Sequence, residues 1–88
     1  MKKNSSIVEK KINNEVVLFD VYTGEFYGLQ DTSLYIWEIL DKCKNINDIV
    51  DHIKLDYEFD DQEDLYIAVK EILLELKKER LIEYDESH

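Results

Sequence analysis

Apolar and polar residues alternate in short runs through the first third of the chain, then shift to a helical spacing. Ser6 to Ile12 carries Ile7, Val8 and Ile12 and predicts a first strand, closed by Asn13-Asn14, where asparagine tolerates the positive φ of a tight turn. Glu15 to Val21 is the clearest strand: Val17, Phe19 and Val21 share one face, and Val16, Leu18 and Asp20 the other. Tyr22-Thr23-Gly24-Glu25 reads as a second tight turn, with Gly24 supplying the positive φ. Glu25 to Leu29 then forms a third strand. Connections this short imply an antiparallel meander with the third strand at its edge.

Helical spacing begins at Gln30-Asp31-Thr32, where Asp31 or Thr32 is the expected cap, and runs to about Lys42. Leu34, Tyr35, Ile36, Trp37, Ile39 and Leu40 leave only a narrow polar wedge, the mark of a buried helix with Trp37 as its largest core residue. Asn45 caps a second helix, with Asp48 near the positive end of its dipole. Ile46, Ile49, Val50 and Ile53 give that helix one apolar face as far as Lys54. Leu55, Tyr57 and Phe59 alternate with acids and predict an extended connector with its apolar side chains inward. Asp60 with Glu63 resembles a capping box for the longest helix, to Glu79, whose core stripe is Leu65, Ala68, Val69, Ile72, Leu73 and Leu76. Leu81 to Tyr84 follows as a short strand or tail. The expected architecture is α+β and winged-helix-like: a three-stranded antiparallel sheet followed by three helices in one domain, residues 6–84, with residues 1–5 frayed and 85–88 loose.

A chain of 88 residues buries only about 60–65% of its unfolded surface, so the core is thin. The composition, 44% hydrophobic and 36% charged, is that of a globular domain, not a disordered one. No run approaches the roughly 18 apolar residues of a membrane span, and Met1-Lys2-Lys3-Asn4 leads into no signal-peptide core. One cysteine forms no internal disulfide, which points to a reducing cytoplasm. A net charge of −10 counts against a phosphate backbone as partner.

Few residues suggest chemistry. The acidic run from Asp56 to Asp64 begins like a calcium loop but has Asp61 where that loop needs glycine and Ile67 where it needs glutamate; cap and dipole roles explain the acids better. Cys43 has no histidine nearby in sequence, and His52 and His88 read as surface residues. There is no phosphate loop or nucleophile elbow, so neither catalysis nor a metal or other cofactor is expected. Two features stand out instead. The edge strand, Glu25, Phe26, Tyr27, Gly28 and Leu29, offers main-chain groups to an extended peptide, and Gly28 admits a close approach; a short edge strand also protects itself simply by being short. Ile67 and Leu74 fall opposite the core stripe of the last helix at about 100° per residue, flanked by Lys70, Lys77 and Lys78. They are either stray aliphatics on a solvated face or a docking wall for a segment bearing aliphatics and acids.

The run Val17-Leu18-Phe19-Asp20, Thr23-Gly24-Glu25-Phe26-Tyr27-Gly28-Leu29, Thr32 and Ile36-Trp37, then Asn45 to Val50 and the closing Leu81-Ile82, resembles the PqqD family across roughly residues 6–84. Gln30-Asp31 stands where the family usually has asparagine, and Arg80 where it often has glycine. The resemblance implies a non-catalytic recognition element that binds the leader of a ribosomally made precursor peptide. The leader would lie as an added antiparallel strand in the groove between the third strand and the last helix, presented to a radical S-adenosylmethionine enzyme, a cyclase or a leader peptidase. On that reading Glu25 to Leu29 pair with the leader backbone. Ile67, Lys70, Leu74 and Lys77 or Lys78 meet its side chains, and Tyr66 or Leu73 lines the groove floor. The open edge also admits a dimer. The same element order serves winged-helix DNA-binding regulators, but the acidity and the connector from Leu55 to Asp60, too long for a helix-turn-helix, weigh against that alternative.

Overall fold

The meander forms as the alternation predicts. In the computed structural model, which describes residues 1–56 and 62–83, strands β2 (Ile7–Ile12), β3 (Glu15–Asp20) and β4 (Phe26–Leu29) pair antiparallel in the order β2-β3-β4. They follow a two-residue strand β1 (Lys2–Lys3). Asn13 takes φ 57° and Gly24 φ 76° in the two connections, the left-handed geometry expected of each. Val16, Leu18 and Leu29 point into the core, while Phe26 and Val8 are exposed on the outer face. Register stacks Val8, Phe19 and Phe26 across that outer face, with the two phenyl rings 4.8 Å apart.

The helices α1 (Asp31–Ile39), α2 (Ile46–Asp56) and α3 (Gln62–Lys78) cover the inner face. Trp37, Ile36, Leu40, Ile49, Val69 and Leu73 are essentially fully buried between them and the sheet. Asn45 caps α2 as expected: its Oδ1 accepts the Asp48 N–H at 3.0 Å, and Asp48 in return accepts the Lys44 N–H at 2.8 Å.

Several expectations are corrected. Neither Asp31 nor Thr32 caps α1. Gln30 holds the cap position in extended conformation without a side-chain cap bond, and Asp31 begins the helix at φ 55°. The α1 helix tightens after Ile39 into a 3-10 turn, Leu40–Lys42. Leu55 belongs to α2 and is exposed, because the helix runs two residues further than the apolar periodicity and carries Leu55 off the buried face. Ala68 is exposed as well, at the margin of the α3 core stripe. Tyr57, Phe59, the Asp60 cap and residues 84–88 lie outside the described residues.

The N-terminus, expected to be loose, is tied down. β1 pairs antiparallel with β5 (Ile82–Glu83), and the Asn4 N–H donates to the Leu81 carbonyl at 2.9 Å. Lys3 reaches Glu9 at 3.2 Å and lies 4.8 Å over the Trp37 ring, while Glu9 accepts the Trp37 indole N–H at 2.7 Å. This cluster satisfies the one polar atom of the largest core side chain. Among the described residues no helix is long and apolar enough to cross a membrane.

Candidate functional site

The edge of β4 is held in place by Asp20, a carboxylate only 6% exposed at the end of β3. Asp20 accepts the Tyr22 N–H at 2.9 Å and the Thr23 N–H at 3.3 Å, and its carbonyl accepts the Gly24 N–H at 2.8 Å. Its own N–H donates to the Glu25 carbonyl at 3.0 Å. That last bond fixes the phase of the ladder. In an antiparallel pair, hydrogen-bonded and non-bonded residue pairs alternate. The main-chain groups of Tyr27 and Leu29 therefore turn toward β3, opposite Leu18 and Val16, and those of Phe26 and Gly28 turn outward to the edge. The sheet order leaves that edge unpaired among the described residues.

Beside the edge runs a groove of about 460 Å³, between β4 and α3. Phe26, Tyr27, Gly28 and Leu29 form one wall; Ile72 and Leu76 of α3 with Leu81 form an apolar floor, and Glu75 and Glu79 form the opposite rim. The Tyr27 hydroxyl donates to Glu25, and Glu79 lies beside it; the bond to Glu25, then burial, then the neighbouring Glu79 carboxylate push the Tyr27 phenol well above the usual tyrosine range. Gly28 has ordinary backbone geometry for a strand, and a Cβ there would meet nothing within 4 Å. Among the described residues, nothing in the packing calls for glycine at that position.

The far end of the groove is shaped by how α3 stops. The Leu81 N–H donates to the Leu76 carbonyl at 2.9 Å and the Arg80 N–H to the Lys77 carbonyl at 3.0 Å, with Arg80 at φ 60°. This is a Schellman termination, and it buries Leu81 against Leu76. The helix therefore ends sharply even though arginine replaces glycine.

The structure brings Phe26, Tyr27, Gly28 and Leu29 of the expected site together, but not the expected helical residues. Leu73 is 0% exposed and belongs to the core, not to a groove floor. Tyr66, Ile67, Lys70, Leu74, Lys77 and Lys78 do not line the groove. Ile67 and Leu74 are exposed on the side of α3 away from it, and the helical wall is Ile72, Glu75, Leu76 and Glu79 instead. A helical wheel gives two flanks beside any core stripe and does not say which one meets the strand; Ile72, a stripe residue only half-buried, lies at the boundary of the flank that does. Among the described residues no group of three or more histidine, cysteine, aspartate or glutamate side chains could hold a metal ion.

The family model described as coenzyme PQQ synthesis protein D (PqqD) matches residues 15–82. A solved structure of TbiB1 in complex with the TbiA(beta) leader peptide is similar to 98% of this chain over 100% of its own, with 31% identity and a TM-score of 0.85. A second, lasso peptide synthetase B1 complexed with the leader peptide, matches over 94% and 96% of the two chains at 20% identity and a TM-score of 0.81; at that identity it supports the fold alone. No curated protein matches the sequence.

Proposed function

The chain belongs to the PqqD family, and from that premise we propose that it is a non-catalytic module that captures the leader segment of a precursor peptide as an added strand on β4. The carrying observation is the unpaired β4 edge beside an apolar-floored groove, in a chain similar over nearly its whole length to a protein solved with a leader peptide. The outward main-chain groups of Phe26 and Gly28 supply the hydrogen bonds, and the groove supplies choice of sequence. A modifying enzyme, such as a radical S-adenosylmethionine protein, a cyclase or a leader peptidase, then acts on the bound precursor. The chemistry is assigned to that partner; among the described residues the groove is lined by apolar and aromatic side chains, Ser33, Glu75 and Glu79.

The test is fluorescence anisotropy with two labelled probes: the TbiA(beta) leader peptide and the leader of the short precursor encoded nearest this gene. Gly28→Pro removes an edge N–H that faces solvent, where proline is tolerated. It is expected to fold, by circular dichroism, and to weaken binding about tenfold or more, since each main-chain hydrogen bond contributes about 0.5–1.5 kcal/mol and the proline ring blocks approach. Gly28→Val serves as a second variant if the proline unfolds the domain. Leu74→Asp, on the far side of α3, is expected to bind as the wild type does. Equal affinity of a folded Gly28 variant, or no binding of either probe, overturns the reading.

A further inference from the structure

The charge of the groove is opposite to that of the flank on which Lys70, Lys77 and Lys78 stand. Glu75 and Glu79, one helical turn apart, line the rim above the apolar floor of Ile72, Leu76 and Leu81, and among the described residues no lysine or arginine lines the groove. Glu25 joins them through the Tyr27 hydroxyl, on the strand side. Among the described residues no ion pair to a lysine or arginine reaches Glu25, Glu75 or Glu79. The carboxylates stand beside the β4 edge, which is unpaired among the described residues and where an added strand would lay every second side chain toward the helix.

The dimensions match. Successive side chains on one face of a strand lie about 6.8 Å apart. Glu75 and Glu79 are separated by about 6 Å of helix rise. Resting on the groove reading above, we infer that the captured segment carries lysine or arginine at positions facing α3, two residues from an aliphatic side chain that fills the apolar floor. The aliphatic side chain seats on Ile72, Leu76 and Leu81, and the cation meets Glu75, Glu79 or both. The domain thus selects a basic-aliphatic leader and, through the same carboxylates, rejects acidic ones.

The experiment is a selection from random phage-displayed peptides, run in parallel on the wild type, E75Q/E79Q and E75K/E79K, each first shown to be folded by a cooperative melt. Wild-type winners are expected to carry lysine or arginine at alternate positions around one or two aliphatics, and E75K/E79K winners to turn to aspartate and glutamate. The best wild-type winner is expected to bind E75Q/E79Q more weakly by up to about fivefold for each carboxylate, the equivalent of the upper value for an exposed ion pair. If the charge reversal unfolds the domain, the neutral pair carries the test. Winners that protect the Phe26 and Gly28 amides but show no basic bias, or bind E75Q/E79Q equally, overturn this inference and leave the groove reading standing. A selection that returns no peptide protecting those amides overturns the groove reading itself.

Discussion

Arg80→Gly is expected to stabilise the domain, although arginine contributes a long side chain and glycine none. Arg80 sits at φ 60° two residues after the end of α3, and the two Schellman bonds leave it no other conformation. Holding a residue with a Cβ in the left-handed region costs about 1–2 kcal/mol. Glycine removes that cost but adds freedom to the unfolded chain, which takes back about 0.5–1 kcal/mol. The Arg80 carbonyl still accepts the Asn4 side-chain amide at 2.8 Å, since that bond uses main chain only. The net gain lies between about 0 and 1.5 kcal/mol; its middle, about 0.75 kcal/mol, is a rise of roughly 3–6 °C in Tm for a domain of this size. Arg80→Asn should fall between arginine and glycine, and Arg80→Val below arginine, because a β-branched residue tolerates the left-handed region worst. Thermal and urea melts followed by circular dichroism give the order. A lower Tm for glycine than for arginine, or valine equal to arginine, would refute the assignment of strain to this turn.

Other outcomes follow from the core and the groove. Glu9→Ala leaves the buried Trp37 N–H without its acceptor and should cost about 1–3 kcal/mol, while Glu9→Gln keeps an acceptor and costs less; urea midpoints read by the single tryptophan check this. The Tyr27 phenol should ionise well above the ordinary tyrosine range. The wild-type minus Tyr27→Phe difference in alkaline absorbance should appear above the ordinary tyrosine range and move down in Glu25→Gln, because Glu25 is the largest cause of the shift; a difference spectrum at the ordinary pH would contradict the geometry. The Cys43 thiol is buried and raised, by burial first and then by Asp48, against the opposing pull of the N-terminal amine and Lys42. It should react slowly with a disulfide reagent in the native state and quickly in denaturant; fast native labelling would show that the N-terminal segment opens.

Much of this fold was legible because its signals are local. Period-two alternation, Asn13 and Gly24 set the meander, and Ile46, Ile49, Val50 and Ile53 set the buried face of α2. The free edge was legible for the same reason, since short connections dictate the strand order. What escaped depends on distant contacts. Lys2-Lys3 shows no apolar alternation and forms a strand only because Ile82-Glu83 is delivered beside it by the turn at Arg80. Asp20 reads as a polar residue at a strand end, and its anchoring of the turn shows only in the bonds it accepts. The helical wall was misplaced because Ile67 and Leu74 look anomalous on a wheel, whereas Ile72 and Leu76 look like ordinary core and in fact stand at its open margin. Glu75 and Glu79 carried one available signal: two carboxylates a turn apart beside a core stripe, with no lysine four residues after either.

The most direct measurement is amide hydrogen exchange in β4, with and without a bound leader peptide. If a partner's backbone completes the sheet, the Phe26 and Gly28 amides exchange freely in the unbound domain and become strongly protected on binding. The Tyr27 and Leu29 amides, already bonded to β3, change far less. Protection of Phe26 and Gly28 before any peptide is added, or binding that leaves both exchanging freely, would contradict the account.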